Sequence, residues 1–219
     1  MQHAQQSDHR PFRSDADVRL AARTGAPRRI APLAQGVQVI TEGDRGDTLF
    51  IVLAGQLRAY SVGADGREVT YGVYGPGEYV GEMGRDGGLR SANVETQQPS
   101  LCALVTRATL ESHLRQEPAF AFELLAKTTR LARAATLGMR QIALNDVNGR
   151  LKALLESLST PSSEGQRLVD PAPSHLEMSQ LLGCSREMVS RVMKDLERGG
   201  YVEVGRRRVG LRRALPAKW

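Results

Sequence analysis

The feature that most constrains this chain is a change of residue pattern near Arg107. Between Gly36 and about Thr106, short apolar runs are separated by Gly, Asp and Pro, whereas from Arg107 to Leu144 Gly138 is the single glycine. Glycine supplies the positive φ angles that tight turns between strands need. The Ala, Leu, Arg and Glu that dominate the second stretch are typical of helices. The chain is therefore predicted to be α+β, with an antiparallel β-barrel or roll followed by helices.

A 3,4 spacing of apolar and small residues marks one long helix, predicted over residues 118–144. Its members are Phe122, Leu125, Thr129, Ala132, Thr136, Met139 and Ala143. Such a seam suits a helix that pairs with a second copy of the chain in a homodimer. Packing of the same stripe on the β-domain is the alternative.

The remaining boundaries follow from composition and capping residues. Residues 1–15 are polar and are predicted to form a flexible tail. Residues 16–117 are predicted to form the β-roll domain with flanking helices, including a short helix over residues 16–22. Asn145-Asp146 can cap a new helix, so residues 145–219 are predicted to form the last domain, with a polar loop at 160–166.

The last domain contains the signals of two short helices. Ser174 and Glu177 match a capping box for a helix that ends at Gly183, and Ser185 can cap a second helix that Gly199-Gly200 ends. Two such helices across a tight turn make a helix-turn-helix. The segment YVEV-GRRR-VGLR that follows predicts a hairpin wing. The residues predicted to face inward are Leu176, Met178, Leu181, Leu182, Met188, Val189, Val192, Met193 and Leu196.

Charge is concentrated in the same region. The formal net charge is +6, and the segment from His175 onward, with ten basic and five acidic residues, contributes +5 of it. Arginine can donate to guanine and glutamate can accept from cytosine, so this segment is predicted to bind double-stranded DNA; a solvated helix face is the alternative. The predicted DNA contacts are Ser185, Arg186, Glu187, Ser190, Arg191 and Lys194 on the second helix, and Arg206 and Arg207 at the wing tip.

The segment LLGCSREMVSRVMKDLERGGYVEV resembles the cyclic-AMP receptor protein branch of the Crp/Fnr transcription regulators. The resemblance implies a winged helix-turn-helix in which Arg186, Glu187 and Arg191 read bases. It also implies a homodimer on palindromic sites with TGTGA-like half-sites, whose two recognition helices enter major grooves about 34 Å apart. RNA polymerase is the further partner that it implies.

The resemblance extends from about Gly36 to Leu211. The segment EGDRGDTLFIVLAGQL resembles the family's first roll segment, and GPGEYVGEMG with LRSANV resembles its phosphate-binding cassette. It therefore implies a cyclic-nucleotide-binding β-roll that senses cAMP. The implied ligand contacts are Gly81, Glu82, Met83, Arg90, Ser91, Ala92 and Thr136. A surface ion pair of Arg90 with Glu82 or Asp86 is the alternative.

Three departures from the family leave the ligand open. Seven residues separate Glu82 from Arg90, fewer than is usual in cAMP cassettes of this family. The segment after Glu82 is Met83-Gly84-Arg85 rather than aliphatic, and Ala135-Thr136 replaces two adjacent hydroxyl residues. Cyclic di-GMP, or activity without any ligand, is therefore an alternative to cAMP.

Other classes of function are disfavoured by missing motifs. The chain has no P-loop, no G-x-G-x-x-G and no G-x-S-x-G, so it is predicted not to be an enzyme. Cys102, Cys184 and the scattered histidines lack metal-ligand spacing, so no metal site is expected. No signal peptide or membrane span is expected, which predicts a cytoplasmic protein without membrane binding. A nucleotide-binding regulatory module without DNA recognition and a non-specific basic DNA binder are the remaining alternatives.

Overall fold

The computed structural model describes residues 29–84, 87–162 and 166–216 of the chain. The fold is α+β, as predicted from the sequence, and it divides into two compact units. One unit comprises the residues up to Ser61 together with Thr70–Phe122, and the other comprises Val62–Val69 together with Glu123 onward. The tail at 1–15 and the short helix expected at 16–22 lie outside the described residues.

The first unit is built on a six-stranded sheet. Its central path has the order β1-β6-β3-β4, while β2 pairs with β6 and β5 pairs with β3. Strand β6 is antiparallel to β1, β2 and β3. The strands are β1 (Arg29–Leu33), β2 (Gln38–Ile40), β3 (Leu49–Val62), β4 (Glu68–Tyr74), β5 (Tyr79–Val80) and β6 (Asn93–Val105).

Side chains of several strands form the core of this unit. One buried cluster joins β2, β3, β5 and β6; its members are Ile40, Val52, Leu57, Ala59, Val80, Val94 and Cys102. Helix α1 (Arg107–Gln116) follows β6 and is capped by Thr106, whose hydroxyl accepts from the Thr109 N–H. Burial raises the pKa of the Cys102 thiol, in keeping with a packing role for this residue.

Strand β3 is irregular at Gly55. The pairing register between β3 and β6 shifts on either side of this residue, and Gly55 has a φ of +86°. A Cβ at this position would lie 2.5 Å from the Pro99 carbonyl oxygen and 2.6 Å from Ser100 Cα. Glycine therefore allows two apolar runs, separate in the sequence, to form one strand with a bulge.

Four helices and a small sheet follow. They are α2 (Phe120–Leu144), α3 (Val147–Leu158), α4 (His175–Leu182) and α5 (Arg186–Arg198), with strands β7 (Thr160–Pro161), β8 (Arg167–Val169), β9 (Val202–Gly205) and β10 (Arg208–Leu211). The sheet has the order β7-β8-β10-β9. As predicted, Asp146 caps α3, with its carboxylate accepting from the Gly149 N–H. Among the described residues, no helix is long and apolar enough to cross a membrane.

The second unit has its own core. One cluster of buried residues joins α3, α4, α5 and the small sheet; it includes Leu151, Leu155, Val169, Met178, Val189, Val192, Met193, Leu196, Val202 and Val209. The two short helices and the wing are therefore held by one continuous set of contacts.

Two expectations about local structure are corrected. The segment 160–166 is not all loop, because Thr160–Pro161 forms β7 and pairs with β8. Leu176 and Leu181 do not face inward, since they are 52% and 42% exposed. On an eight-residue helix the buried stripe is narrow, and Met178 and Leu182 fill it. Strands β1, β7 and β8 were not expected from the residue pattern.

Two glycine variants test the bulge in β3. We expect Gly55→Ala to destabilise the protein by about 2 kcal/mol more than Gly36→Ala, because overpacking against fixed backbone adds to the strain of a positive φ. Gly36 is the matched control: its φ is +76°, but no atom lies within 4 Å of a Cβ placed there. Urea unfolding followed by circular dichroism measures the difference, and equal midpoints would show that the clash is relieved.

Candidate ligand pocket and nucleic-acid interface

A buried guanidinium organises the candidate ligand pocket. Arg90 is 7% exposed. Its Nη1 donates to the Gly81 carbonyl oxygen at 2.8 Å and its Nη2 to the Thr48 carbonyl oxygen at 2.9 Å. Since a guanidinium carries five N–H groups, these two bonds leave N–H groups of Arg90 that can donate to a further acceptor. Of the alternative surface ion pairs, the one between Arg90 and Glu82 is absent among the ion pairs of the described residues, and Asp86 lies outside the described residues.

Three glycines allow the backbone to approach this guanidinium. A Cβ on Gly81, whose φ is +95°, would lie 2.9 Å from Arg90 Nη1. A Cβ on Gly46 would lie 3.1 Å from Nη2, and one on Gly84 would lie 2.8 Å from the Gly46 carbonyl oxygen. The surroundings of Arg90 therefore include Gly46, Thr48 and Gly84, none of which was predicted from the sequence as a site residue. The glycine spacing in EGDRGDT and GEMG is the signal that could have indicated them.

Two carboxylates act on Arg90, and one of their oxygens, on Glu82, has no hydrogen-bond partner in the described structure. Burial lowers the pKa of Arg90, while the carboxylates of Asp47 and Glu82 oppose that shift. Oxygen Oε2 of Glu82 is buried and has no hydrogen-bond partner in the described structure. Burial, and then the charges of Glu82 and Glu78, raise the pKa of Tyr74 to about 12. A buried acceptor without a donor is costly, so this site suits a molecule that brings a hydroxyl group and an anion together.

The other predicted ligand residues divide between the two units. The Ser91 hydroxyl lies 3.5 Å from Met83 Sδ, and Met83 is 60% exposed, so an apolar surface lies beside the polar pocket. Ala92 is half-buried just before β6. Thr136 lies on α2 in the second unit, where its hydroxyl donates to the Ala132 carbonyl oxygen; its role toward a ligand stays a prediction.

Capping contacts set the ends of the two short helices. The Ser174 hydroxyl accepts from the Glu177 N–H at 3.2 Å, and the Ser174 N–H donates to Glu177 Oε2 at 2.6 Å. Helix α4 ends at Gly183 in the left-handed conformation. The Ser185 hydroxyl accepts from the Met188 N–H at 3.2 Å and begins α5. Each capping prediction from the sequence is present in the structure.

Helix α5 has one buried and one polar face. Its buried side chains are Val189, Val192, Met193 and Leu196. On the opposite face, a surface concavity is lined by Arg186, Glu187, Ser190, Arg191 and Lys194. Ser185 is used as the cap and does not line this concavity. Three cations, one carboxylate and one hydroxyl thus share a surface that has both donors and acceptors for base edges.

The wing lies between β9 and β10, and its turn contains Arg206 and Arg207. Both are exposed, and Arg207 has a φ of +54°, which is unusual for a residue other than glycine. The Arg207 carbonyl oxygen accepts from the Ala172 N–H at 2.7 Å. Next to it, the Arg208 guanidinium lies 3.1 Å from the Asp170 carboxylate. Contacts with Asp170 and Ala172 therefore hold the turn in place, while the side chains of Arg206 and Arg207 stay exposed to solvent.

No group of three or more potential metal-ligating side chains occurs among the residues described above. Two protein families match separate parts of the chain, one around Arg90 and the other around helix α5. Residues 31–117 match the family described as the cyclic nucleotide-binding domain, and residues 149–214 match the Crp-like helix-turn-helix domain.

Two characterised proteins illustrate the similarity in sequence. The chain is 32% identical over 189 residues to the cyclic AMP receptor protein of Thermus thermophilus, a match that covers 85% of this chain and 84% of the relative. It is 30% identical over 176 residues to the cAMP-activated global transcriptional regulator Vfr of Pseudomonas aeruginosa, covering 76% of this chain and 81% of the relative.

One solved structure illustrates the similarity in fold. The c-di-GMP responsive global regulator CLP of Xanthomonas campestris superposes with a TM-score of 0.73 and 24% identity. The match covers 90% of this chain and 98% of CLP. At this identity the likeness concerns the fold.

Replacement of one capping carboxylate has a defined pH dependence. The backbone hydrogen bond from Ser174 holds the pKa of Glu177 below its usual value, so its charge stabilises the fold above the unfolded pKa and this stabilisation is lost as pH falls through the lower folded pKa. We expect Glu177→Gln, which keeps an acceptor oxygen, to cost about 0.5 kcal/mol at neutral pH. The cost should vanish in acid.

Thermal unfolding at a series of pH values measures this difference. Glu197→Gln, at an exposed position near the end of α5, is the matched control for loss of one carboxylate. A difference between wild type and Glu177→Gln that is the same at acid and neutral pH would refute the role of the charge.

Proposed function

This chain belongs to the Crp/Fnr family of transcription regulators, and we propose that it binds operator DNA as a homodimer under the control of a cyclic nucleotide. We assign nucleotide binding to the β-roll, dimerisation to residues 118–144 and DNA binding to residues 145–219. RNA polymerase is the proposed partner through which it acts on transcription.

The ligand half of the proposal rests on two groups at one site. The Arg90 guanidinium has N–H groups left to donate, and Oε2 of Glu82 has no hydrogen-bond partner in the described structure. Cyclic AMP brings both complements, because its cyclic phosphate can accept from the Arg90 guanidinium and its ribose 2′-hydroxyl can donate to Glu82 Oε2. The close glycines at 46, 81 and 84 leave no side chain between backbone and guanidinium. The two relatives cited above are named for cAMP, which supports the same ligand here.

Exposed apolar side chains on α2 support the homodimer. This helix has 25 residues, and Phe122, Leu125 and Met139 are 75%, 62% and 72% exposed in the single chain. They belong to the stripe predicted from the 3,4 spacing. A long helix with an exposed apolar seam is stabilised when a second copy covers it.

The polar face of α5 supports sequence-specific binding. Arg186, Glu187 and Arg191 hold the positions that read bases in this family, and TGTGA-like half-sites are the proposed target. Arg206 and Arg207 of the wing are proposed to contact phosphates, which adds affinity without sequence preference. The nucleotide controls binding only if it binds the DNA-competent state more tightly than the other state.

The ligand site is tested with a pair of nucleotides that differ in one hydroxyl. We expect the wild type to bind 3′,5′-cAMP more tightly than 2′-deoxy-3′,5′-cAMP by about 10-fold, the worth of one hydrogen bond to a charged group. In Glu82→Ala the two nucleotides should bind equally, because the acceptor is gone. Arg90→Gln should weaken both by at least about 10-fold. Isothermal titration calorimetry measures the six affinities, two for each of the three proteins.

Arg107→Gln is the control for loss of one arginine, since Arg107 makes an exposed ion pair with Glu111 on α1. Parallel titrations with cyclic di-GMP test the other nucleotide class. Unchanged cAMP affinity in Arg90→Gln would contradict the phosphate assignment. Binding of neither nucleotide by the wild type would contradict nucleotide control.

The DNA half is tested with two arginines of α5. We expect Arg186→Ala to lose about 1–3 kcal/mol on a TGTGA-palindrome duplex and little on a scrambled duplex. Arg198→Ala is the matched control, because its side chain is 81% exposed at the other end of the helix and lies outside the concavity. Fluorescence anisotropy with and without cAMP gives the affinities, and equal losses on both duplexes would contradict base reading by Arg186.

A further inference from the structure

A histidine on α4 contacts the DNA-reading face of α5. Nδ1 of His175, the first residue of α4, lies 2.9 Å from Ser190 Oγ on α5. Both side chains are half-buried. Ser190 lines the concavity on α5, whereas His175 does not. The imidazole is thus connected to the proposed DNA surface through one hydroxyl group.

This hydrogen bond has two possible senses: Ser190 donates to Nδ1 of His175, or Nδ1 donates to Ser190. A serine hydroxyl has one proton to donate and lone pairs to accept, and a neutral imidazole nitrogen either donates or accepts. If Nδ1 accepts the Ser190 proton, only the lone pairs of Ser190 remain for DNA. If Nδ1 carries a proton and donates it, the Ser190 O–H stays available to donate to DNA.

Protonation of the imidazole removes this choice. In the imidazolium form both ring nitrogens are donors, so Nδ1 must donate and Ser190 must present its O–H outward. The major groove distinguishes the two senses, because guanine O6, purine N7 and thymine O4 accept, whereas adenine N6 and cytosine N4 donate. The charge on His175 therefore determines which base edges Ser190 can pair with.

We propose that His175 is a positioning residue that sets Ser190 as a hydrogen-bond donor toward DNA and makes base preference at one operator position depend on pH. This inference rests on the proposed reading of DNA by α5. The partner atom is an acceptor on a base edge in the major groove. With a protonated ring Nδ1 can only donate, and the Ser190 O–H is left to donate to DNA; with a neutral ring both senses are possible, so the preference for an acceptor is weaker.

Other charges on the surrounding elements act on the same imidazole. Carboxylates favour its protonated form and cations oppose it. The charged residues of α4, α5 and the wing turn are Glu177, Arg186, Glu187, Arg191, Lys194, Asp195, Glu197, Arg198, Arg206 and Arg207. Helix α3, which packs on α4, adds Arg150, Lys152 and Glu156.

Selection from a randomised duplex pool tests the proposal without a known operator. The full chain is bound to the pool with and without 3′,5′-cAMP at about pH 6 and about pH 8, which bracket the ordinary titration of histidine, and the bound duplexes are sequenced. We expect the base preference at one position of each half-site to change by about fivefold between the two pH values, the worth of one hydrogen bond. The other positions should not change.

Three variants separate the proposed role from simpler ones. His175→Asn places an amide near the position of Nδ1, where its NH2 group can donate to Ser190. Because the amide does not titrate, the base preference at that position should no longer change with pH. His175→Leu should relax the preference at both pH values, and rescue by Asn excludes a purely structural loss. Ser190→Ala should abolish the pH dependence even though His175 is intact.

Each of the other possible outcomes contradicts one part of the proposal for His175. A pH dependence that persists in Ser190→Ala would mean that the charge of His175 acts directly on DNA. A change of affinity that is equal for all sequences would mean a phosphate contact without base preference. A selected site that does not depend on pH would overturn the inference and leave the proposed function intact. Enrichment of no sequence by the wild type would overturn both.

Discussion

The pocket depends on the burial of one cation. A guanidinium removed from water must keep its N–H groups hydrogen-bonded, and Arg90 does so through the carbonyl oxygens of Thr48 and Gly81. This requirement brings the turn before β3, the turn after β5 and the segment before β6 together around one side chain. It also explains glycine at 46 and 81, where a side chain would occupy the space of the guanidinium. The positive charge is thereby fixed in place before any ligand arrives, so binding needs little rearrangement.

The second unit holds the polar face of α5, the proposed DNA-reading face, on two helices that are too short to be stable alone. Caps at Ser174 and Ser185 satisfy their first N–H groups, and a single core joins them to α3 and the wing. On the polar face of α5, Ser190 contacts His175 and Arg191 contacts the sulfur of Met188.

Local signals made much of this architecture predictable. Capping boxes, glycine stops and 3,4 spacing are read from neighbouring residues, and the helix ends at Asp146, Ser174, Gly183 and Ser185 follow them. Strand β7 has only two residues and β1 contains Pro32, so neither has the alternation that predicts a strand. The hydrogen bond from Arg90 to the Thr48 carbonyl oxygen joins two separate turns, and the contact between His175 and Ser190 joins two helices. No local pattern in the sequence indicates either contact. The exposure of Leu176 and Leu181 likewise depends on tertiary packing.

The shared core of the second unit has a consequence for genetics. Because α3, α4, α5 and the small sheet are held by one cluster, a large-to-small substitution at Leu151 or Val209 would displace the reading face although neither residue lies on it. A screen for lost repression or activation would therefore collect interior and surface alleles with the same phenotype. Only alleles whose protein accumulates to normal levels would report on the contacts themselves.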